Sequence, residues 1–223
     1  MDKITKKFDT FIFDWDGTLR NMSMLHKLNA IFNPHWNYKK LKSLENYKRM
    51  PMGRRQVNES KKLALYRKEL KRAYEVQKGV ETAFIDIALM LAKPKMHKYA
   101  REVLDKLNGE GKYVALFTDG AKYRVLSELH HLNAEKYFDI ILSAQSIRRL
   151  KPDPSGIEII VDALGSVKKR TIYFGDMVDD ITTANEAGVH SAAMGNGFSN
   201  INLLRSKNPD YVFTSMRELF MKV

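Results

Sequence analysis

The hydrophobic and polar positions of the chain fall into two textures. From Ala100 onward, short apolar runs of β type recur: "YVALFT" (Tyr113 to Thr118), "FDIILS" (Phe138 to Ser143), "TIYFGD" (Thr171 to Asp176), "HSAAMG" (His190 to Gly195) and "YVF" (Tyr211 to Phe213). Between them, apolar residues recur at helical spacing over Met96 to Leu107, Lys122 to Leu132, Pro154 to Leu164 and Asp179 to Ala187. Near the start, "TFIF" (Thr10 to Phe13) is the near-continuous apolar run of a strand covered on both faces. Strands alternating with helices predict an α/β fold, a doubly wound, Rossmann-like parallel sheet with helices on both sides.

The stretch from Asn21 to Lys93 has the other texture. It contains no convincing strand, and apolar residues such as Leu63, Tyr66, Leu70 and Tyr74 keep a helical period. Pro51 and Gly53 divide it into at least two helical parts. The expected organisation is a core domain of residues 1–20 and 94–223 with a helical domain, 21–93, inserted after the first strand. No internal repeat or low-complexity linker interrupts this plan.

Composition narrows the picture further. The 223 residues, 44% of them hydrophobic, suffice for one sizeable core with an insertion. The absence of cysteine removes disulfides, thiolate metal sites and thiol nucleophiles. The N-terminus "MDKITKKFDT" lacks the apolar stretch of a signal peptide. The run "AFIDIALMLA" (Ala83 to Ala92) carries an acid and is well short of the roughly 20 residues that span a bilayer. A soluble, cytoplasmic protein without membrane contact is expected, as a monomer or homodimer. The net charge of +12 is concentrated in the insertion, where fourteen Lys and Arg stand against four Glu between Lys39 and Lys78. Such a surface is a solvated helical face, or it gathers an anionic ligand.

In a doubly wound sheet, ligands bind beyond the carboxyl ends of the strands. The residues just past those ends are therefore the candidate site. The first strand delivers Asp14, Asp16 and Thr18, and the second delivers Thr118, Asp119 and Gly120. The connection after the third carries Lys151, and the fourth ends on Asp176, followed by Asp179 and Asp180. Clustered carboxylates without thiolate or histidine suit a hard cation, and Mg²⁺ is the usual one beside phosphate. A carboxylate can attack phosphorus, and a second acid two residues on can move protons. Each residue alone has an ordinary explanation: Asp16-Gly17 as a turn, Lys151 as a loop lysine, Asp179 and Asp180 as a favourable helix start. Trp15 is expected to pack on the face opposite the two acids. His97, His130 and His131 fall within helical patterns and are expected to be structural or solvated.

The four motifs "DWDGT" (Asp14 to Thr18), "LFTDG" (Leu116 to Gly120), "KPDP" (Lys151 to Pro154) and "GDMVDD" (Gly175 to Asp180) occur in this order. So arranged, the chain resembles the haloacid dehalogenase superfamily, in particular members with a C1-type helical cap such as phosphoglycolate phosphatases. The resemblance runs from about residue 8 to residue 194, including "EAGV" (Glu186 to Val189). It implies Asp14 as the nucleophile that becomes phosphoaspartyl, and Asp16 as general acid and base, with its backbone carbonyl on Mg²⁺. It implies Thr118 and Lys151 as ligands of the transferring phosphoryl group, near Asp119 and Gly120, and Asp176 and Asp180 as the metal-binding acids, with Asp179 a weaker candidate. Asp119 departs from the Asn frequent in relatives, and Trp15 from Leu.

The insertion would then be a cap whose residues choose the substrate. Arg54 and Arg55, beside the break at Pro51 and Gly53, are the candidates for gripping a second anionic group. The expected activity is a Mg²⁺-dependent phosphatase of small phosphorylated metabolites. A mutase or phosphonatase on the same core is the alternative, as is a protein acting on or binding nucleotides or nucleic acid. Dehalogenation is disfavoured by Asp16, because loss of halide needs no proton donor there.

Overall fold

The computed structural model describes residues 3–21, 93–120, 122–147 and 149–223. The expected helical insertion, apart from its two ends, lies outside the described residues, as do Arg54 and Arg55. The described chain begins with a short helix, α1 (Ile4–Lys7), and strand β1 (Thr10–Phe13), all four residues of which are buried. It leaves the core through β2 (Arg20–Asn21) and returns through β3 (Lys95–Met96), an antiparallel pair in which Arg20 faces Met96 and Asn21 faces Lys95.

Beyond this neck, strands and helices alternate: α2 (Ala100–Gly109), β4 (Tyr113–Thr118), α3 (Lys122–His131), β5 (Ile140–Ser143), α4 (Ala144–Ile147), α5 (Ser155–Leu164), β6 (Thr171–Gly175), α6 (Val178–Ala187), β7 (His190–Met194), α7 (Ile201–Arg205), β8 (Tyr211–Phe213) and α8 (Met216–Phe220). Six strands form one parallel sheet in the order β5-β4-β1-β6-β7-β8. Strand β1 is thus central, and the direction of winding reverses between β1 and β6, which is where doubly wound sheets bind ligands.

Alternation of side chains across β1 divides the core in two. Phe11 and Phe13 join Trp15 on the face covered by α2, α3 and α8, whereas Ile12 faces Ile157 and Ile160 of α5 and Ala184 of α6. Phe13 stacks on Phe174 of β6 at 4.7 Å between ring centres, so the two central strands are tied by side chains as well as by the ladder. Close packing reaches its limit where α5 crosses β4: a Cβ on Gly156 would run into the Phe117 ring.

The first core helix starts later than its apolar pattern suggests, at Ala100 rather than Met96. Lys95 and Met96 are taken by the neck ladder, and Tyr99, at φ 70°, turns the chain into α2. Among the described residues no helix is long and apolar enough to cross a membrane.

Candidate active site

The site forms where β1 and β6 end side by side. Asp14 continues the ladder past β1, its N–H donating to the Phe174 carbonyl at 2.9 Å, so its side chain emerges at a position fixed by the sheet. The carboxylate is buried, and its Oδ1 accepts a hydrogen bond from Lys151 Nζ at 2.9 Å. The same ammonium reaches Asp180 Oδ1 at 2.5 Å and the Tyr173 hydroxyl at 3.1 Å. Tyr173 stands 2.9 Å from Asp180 Oδ1 and 3.2 Å from the Phe117 carbonyl, both within reach of its proton. Asp180 Oδ2 accepts the Met177 N–H at 2.9 Å, so the acid that helps cap α6 also meets the lysine.

Asp176, at the end of β6, is enclosed on all sides. Its Oδ1 accepts from the Thr18 hydroxyl at 3.0 Å and its Oδ2 from the Phe198 N–H at 2.6 Å. Gly17, at φ 87°, and Gly197 press against this carboxylate so closely that a Cβ at either position would collide with it. The turn after β1 is pinned from outside as well, since Asn196 Nδ2 donates to the carbonyls of Gly17 and Thr18 at 3.1 Å each.

The other expected residues lie around this centre. Thr118 ends β4 buried, and its hydroxyl accepts the Gly120 N–H at 3.0 Å, while the Ser143 hydroxyl donates to the Gly120 carbonyl at 2.8 Å. Asp119 Oδ1 accepts the Lys151 N–H at 3.2 Å and so ties the loop after β4 to the loop carrying the lysine. Asp179 is exposed and stands apart from the acidic cluster. The expectation for His97 needs correction: it precedes α2 instead of lying on it, and its Nε2 is 3.1 Å from the Gly17 carbonyl. Trp15 is fully buried against the core, as expected of a packing residue, and its Nε1 donates to Glu128 Oε2 at 2.7 Å.

Asp16 sits in a different setting from Asp14. Arg20 Nη1 donates to Asp16 Oδ1 at 3.1 Å, and Arg124 donates to both oxygens, to Oδ1 at 3.0 Å and to Oδ2 more closely still. Both arginines also pair with Glu128, Arg20 at 3.0 Å and Arg124 at 2.9 Å. Two arginines and two carboxylates thus form a closed square beside the site.

The charges respond to burial. Desolvation pushes the Asp14 carboxyl well above its ordinary value, against the pull of Lys151 and with further upward pressure from Asp180 and Asp176. Desolvation, with Asp180 adjacent, brings Asp176 up to about 7. Burial alone would lower Lys151, but Asp14 and Asp180 outweigh it and keep the ammonium charged. Burial likewise pushes Asp16 upward, yet Arg124 and Arg20 prevail and hold it below the usual carboxylate range.

Asp14, Asp176 and Asp180 each place an oxygen within 4.8 Å of the others, all three being buried. The upward shifts of Asp14 and Asp176 signal too little positive charge nearby, and an all-oxygen donor set matches a hard cation rather than a soft one. The residues therefore fit a metal such as Mg²⁺, which would supply that charge.

Several residues that build the site were not singled out from sequence: Tyr173, Arg20, Arg124, Glu128 and Asn196. A hydroxyl on the inward side of β6, three residues before Asp176, and an Arg and a Glu four apart on α3 were the available signals. The partners of Arg20 become visible only once the sheet order brings α3 beside β1.

Comparison with known proteins agrees with this geometry. The family profile of haloacid dehalogenase-like hydrolases matches residues 11–194. Pyrophosphatase PpaX of Halalkalibacterium halodurans is 30% identical over 118 residues, 53% of this chain and 55% of that protein. A phosphoglycolate phosphatase of Pseudomonas fluorescens is 26% identical over 164 residues, 70% of this chain and 60% of its own. The matched region thus spans about half the length of such curated relatives. In three dimensions, a hydrolase of this superfamily from Deinococcus radiodurans, solved with bound phosphate and sodium, superimposes with a TM-score of 0.64 at 18% identity, covering 96% of this chain and 93% of that one.

Proposed function

Because the chain belongs to the haloacid dehalogenase-like hydrolase family, we propose that it is a Mg²⁺-dependent phosphatase acting on a small phosphorylated metabolite through a phosphoaspartate on Asp14. The observation that carries this reading is the buried Asp14 carboxylate, hydrogen-bonded to Lys151 and gathered with Asp176 and Asp180 into one oxygen cluster. Asp14 and Lys151 meet in a dry site, where the charge of the ammonium is strongly felt by a phosphoryl group.

In the first step an oxygen of Asp14 attacks phosphorus, the bond from phosphorus to the leaving oxygen breaks, and Asp16, having first taken a proton from solvent, gives that oxygen the proton and returns to the carboxylate. In the second, water attacks the phosphoaspartate, Asp16 takes a proton from it, and the bond to Asp14 breaks to release phosphate. Lys151 would offset the charge of the transferring group, and Thr118, at the end of β4, would hydrogen-bond its oxygens. Asp14, Asp176, Asp180 and the Asp16 carbonyl would hold Mg²⁺, which supplies charge neutralisation of the phosphoryl oxygens. Residues 21–93 are read as a cap that chooses the substrate, with Arg54 and Arg55 the candidates for a second anionic group. The relatives direct attention to pyrophosphate and phosphoglycolate, both of which carry such a group.

The test is phosphate release from an aryl phosphate, pyrophosphate and a panel of phosphorylated metabolites, with Mg²⁺ or with EDTA, comparing the wild type with Asp14→Asn. Metal-dependent turnover that vanishes in the variant is expected. Full activity in EDTA, or unchanged activity of Asp14→Asn, would overturn the mechanism.

A further inference from the structure

The square formed by Arg20, Arg124, Asp16 and Glu128 does more than neutralise charge. Glu128 is 1% exposed, yet it accepts from the Trp15 indole and from both arginines, so its carboxylate is fully committed. Both guanidinium groups that it pairs with also donate to Asp16. Arg20 is 4% exposed at its side chain and reaches Asp16 from the neck, while Arg124 is 25% exposed and reaches it from the first turn of α3. Asp16 is therefore held from two elements that are far apart in sequence. The Arg20 backbone belongs to the same turn, its N–H donating to the Trp15 carbonyl at 2.8 Å and its carbonyl accepting the Gly17 N–H at 3.0 Å. Four buried or half-buried charges are costly to assemble and are weak evidence for stability. They make sense where the position of one of them matters.

We infer that Arg20 and Arg124, aligned by Glu128, are positioning residues that fix the Asp16 carboxylate beside Asp14 for its exchange of protons with leaving group and water. The inference rests on the phosphatase reading above and deepens it. Misplacement of a proton-transfer group by about an ångström costs on the order of a hundredfold, and the loss should be confined to the steps that use that group. Attack by Asp14 on 4-nitrophenyl phosphate needs no proton donor, because nitrophenolate leaves unaided. Hydrolysis of the resulting phosphoaspartate still needs Asp16 to receive a proton from water.

Pre-steady-state release of nitrophenolate separates the two steps. In Arg124→Gln and Arg20→Gln we expect a burst of about one equivalent per enzyme, little slowed, followed by steady turnover reduced on the order of tenfold to a hundredfold. Arg124→Lys should recover part of the steady rate. Melting temperature monitors folding, and if Arg20→Gln does not fold, the partly exposed Arg124 carries the test. A burst and steady rate that fall together, or a steady rate that does not change, would overturn the positioning role. If the wild type turns over no phosphate ester, or Asp14→Asn remains active, the phosphatase reading fails and this inference with it, an outcome distinct from the first.

Discussion

Asp9 and Asp14 flank the same central strand, and their settings are opposite. At the amino end of β1, Asp9 is about half exposed and pairs with Arg170 at 2.8 Å and Lys112 at 3.2 Å. The hydrogen bond from Arg170 holds its carboxyl down at about 2. At the carboxyl end, Asp14 also has a basic partner, but burial raises its carboxyl despite Lys151. A carboxylate at the surface gains from its partners while water still solvates it. A buried one keeps a desolvation penalty that a single lysine does not cancel. The amino edge of the sheet settles its charges, whereas the carboxyl edge keeps them unsettled, and the unsettled edge is where a cation and a phosphoryl group can be received.

The comparison can be broken or sharpened by experiment. The largest effect is expected from Asp14→Asn, with a fall in turnover on the order of a thousandfold or more. Asp9→Asn in the same assay should stay within about twofold of the wild type, because a surface ion pair contributes little. Equal losses from both would erase the distinction between the two ends of β1.

The pH dependence of stability should also run in opposite directions. Asp176 binds its proton more tightly folded than unfolded, so between about pH 4 and pH 7 the native state holds more protons and stability falls as pH rises. A shift of this size corresponds to at most about 4 kcal/mol. Asp9 has the reverse sign: its contribution is present above the ordinary carboxylate range and is lost as pH falls toward about 2. Metal-free protein should thus melt at a higher temperature near about pH 5.5 than near about pH 8, and Mg²⁺ should raise the melting temperature at the higher pH and so narrow the difference. Calorimetry with and without EDTA checks this, and a metal-free melting temperature that rises over that interval would contradict the assignment.

A smaller effect tests the hydroxyl under the lysine. Tyr173→Phe removes the proton shared with Asp180 and the Phe117 carbonyl, leaving Lys151 one partner fewer. Turnover should drop about tenfold, as for the outer partners of metal ligands, with a stability loss of about 1 kcal/mol. Smallest of all is the change at Asp9→Asn in melting temperature near neutral pH, expected to be barely measurable.

How much of this was legible beforehand follows from the range of the forces. The strands β1 and β4 to β8 were visible because each is a short apolar run, and the acids past the ends of β1, β4 and β6 stood out against that background. The late start of α2 was not visible, since the pairing of Lys95 and Met96 with the neck competes with a helical pattern that by itself would begin at Met96. The square around Asp16 was hidden for a related reason. In the sequence Arg20 only closes the first core segment, and Glu128 is one polar position on an amphipathic helix. Only the sheet order brings α3 over the turn after β1. Trp15 was read correctly as a packing residue, but its indole proton and the acid that takes it could not be paired from sequence. The expectations for residues 22–92, Arg54 and Arg55 included, fall outside the described residues.

The neck has a consequence for how such a protein can vary. Asn21 and Lys95 lie opposite each other on paired strands, about 5 Å apart as ladder neighbours are. A short turn would close that gap without disturbing the ladder. The core therefore imposes almost no constraint on the length or content of what is carried between these positions. Under the proposed function, reaction chemistry and the choice of substrate are carried by separable stretches of chain, and one can be rewritten without the other.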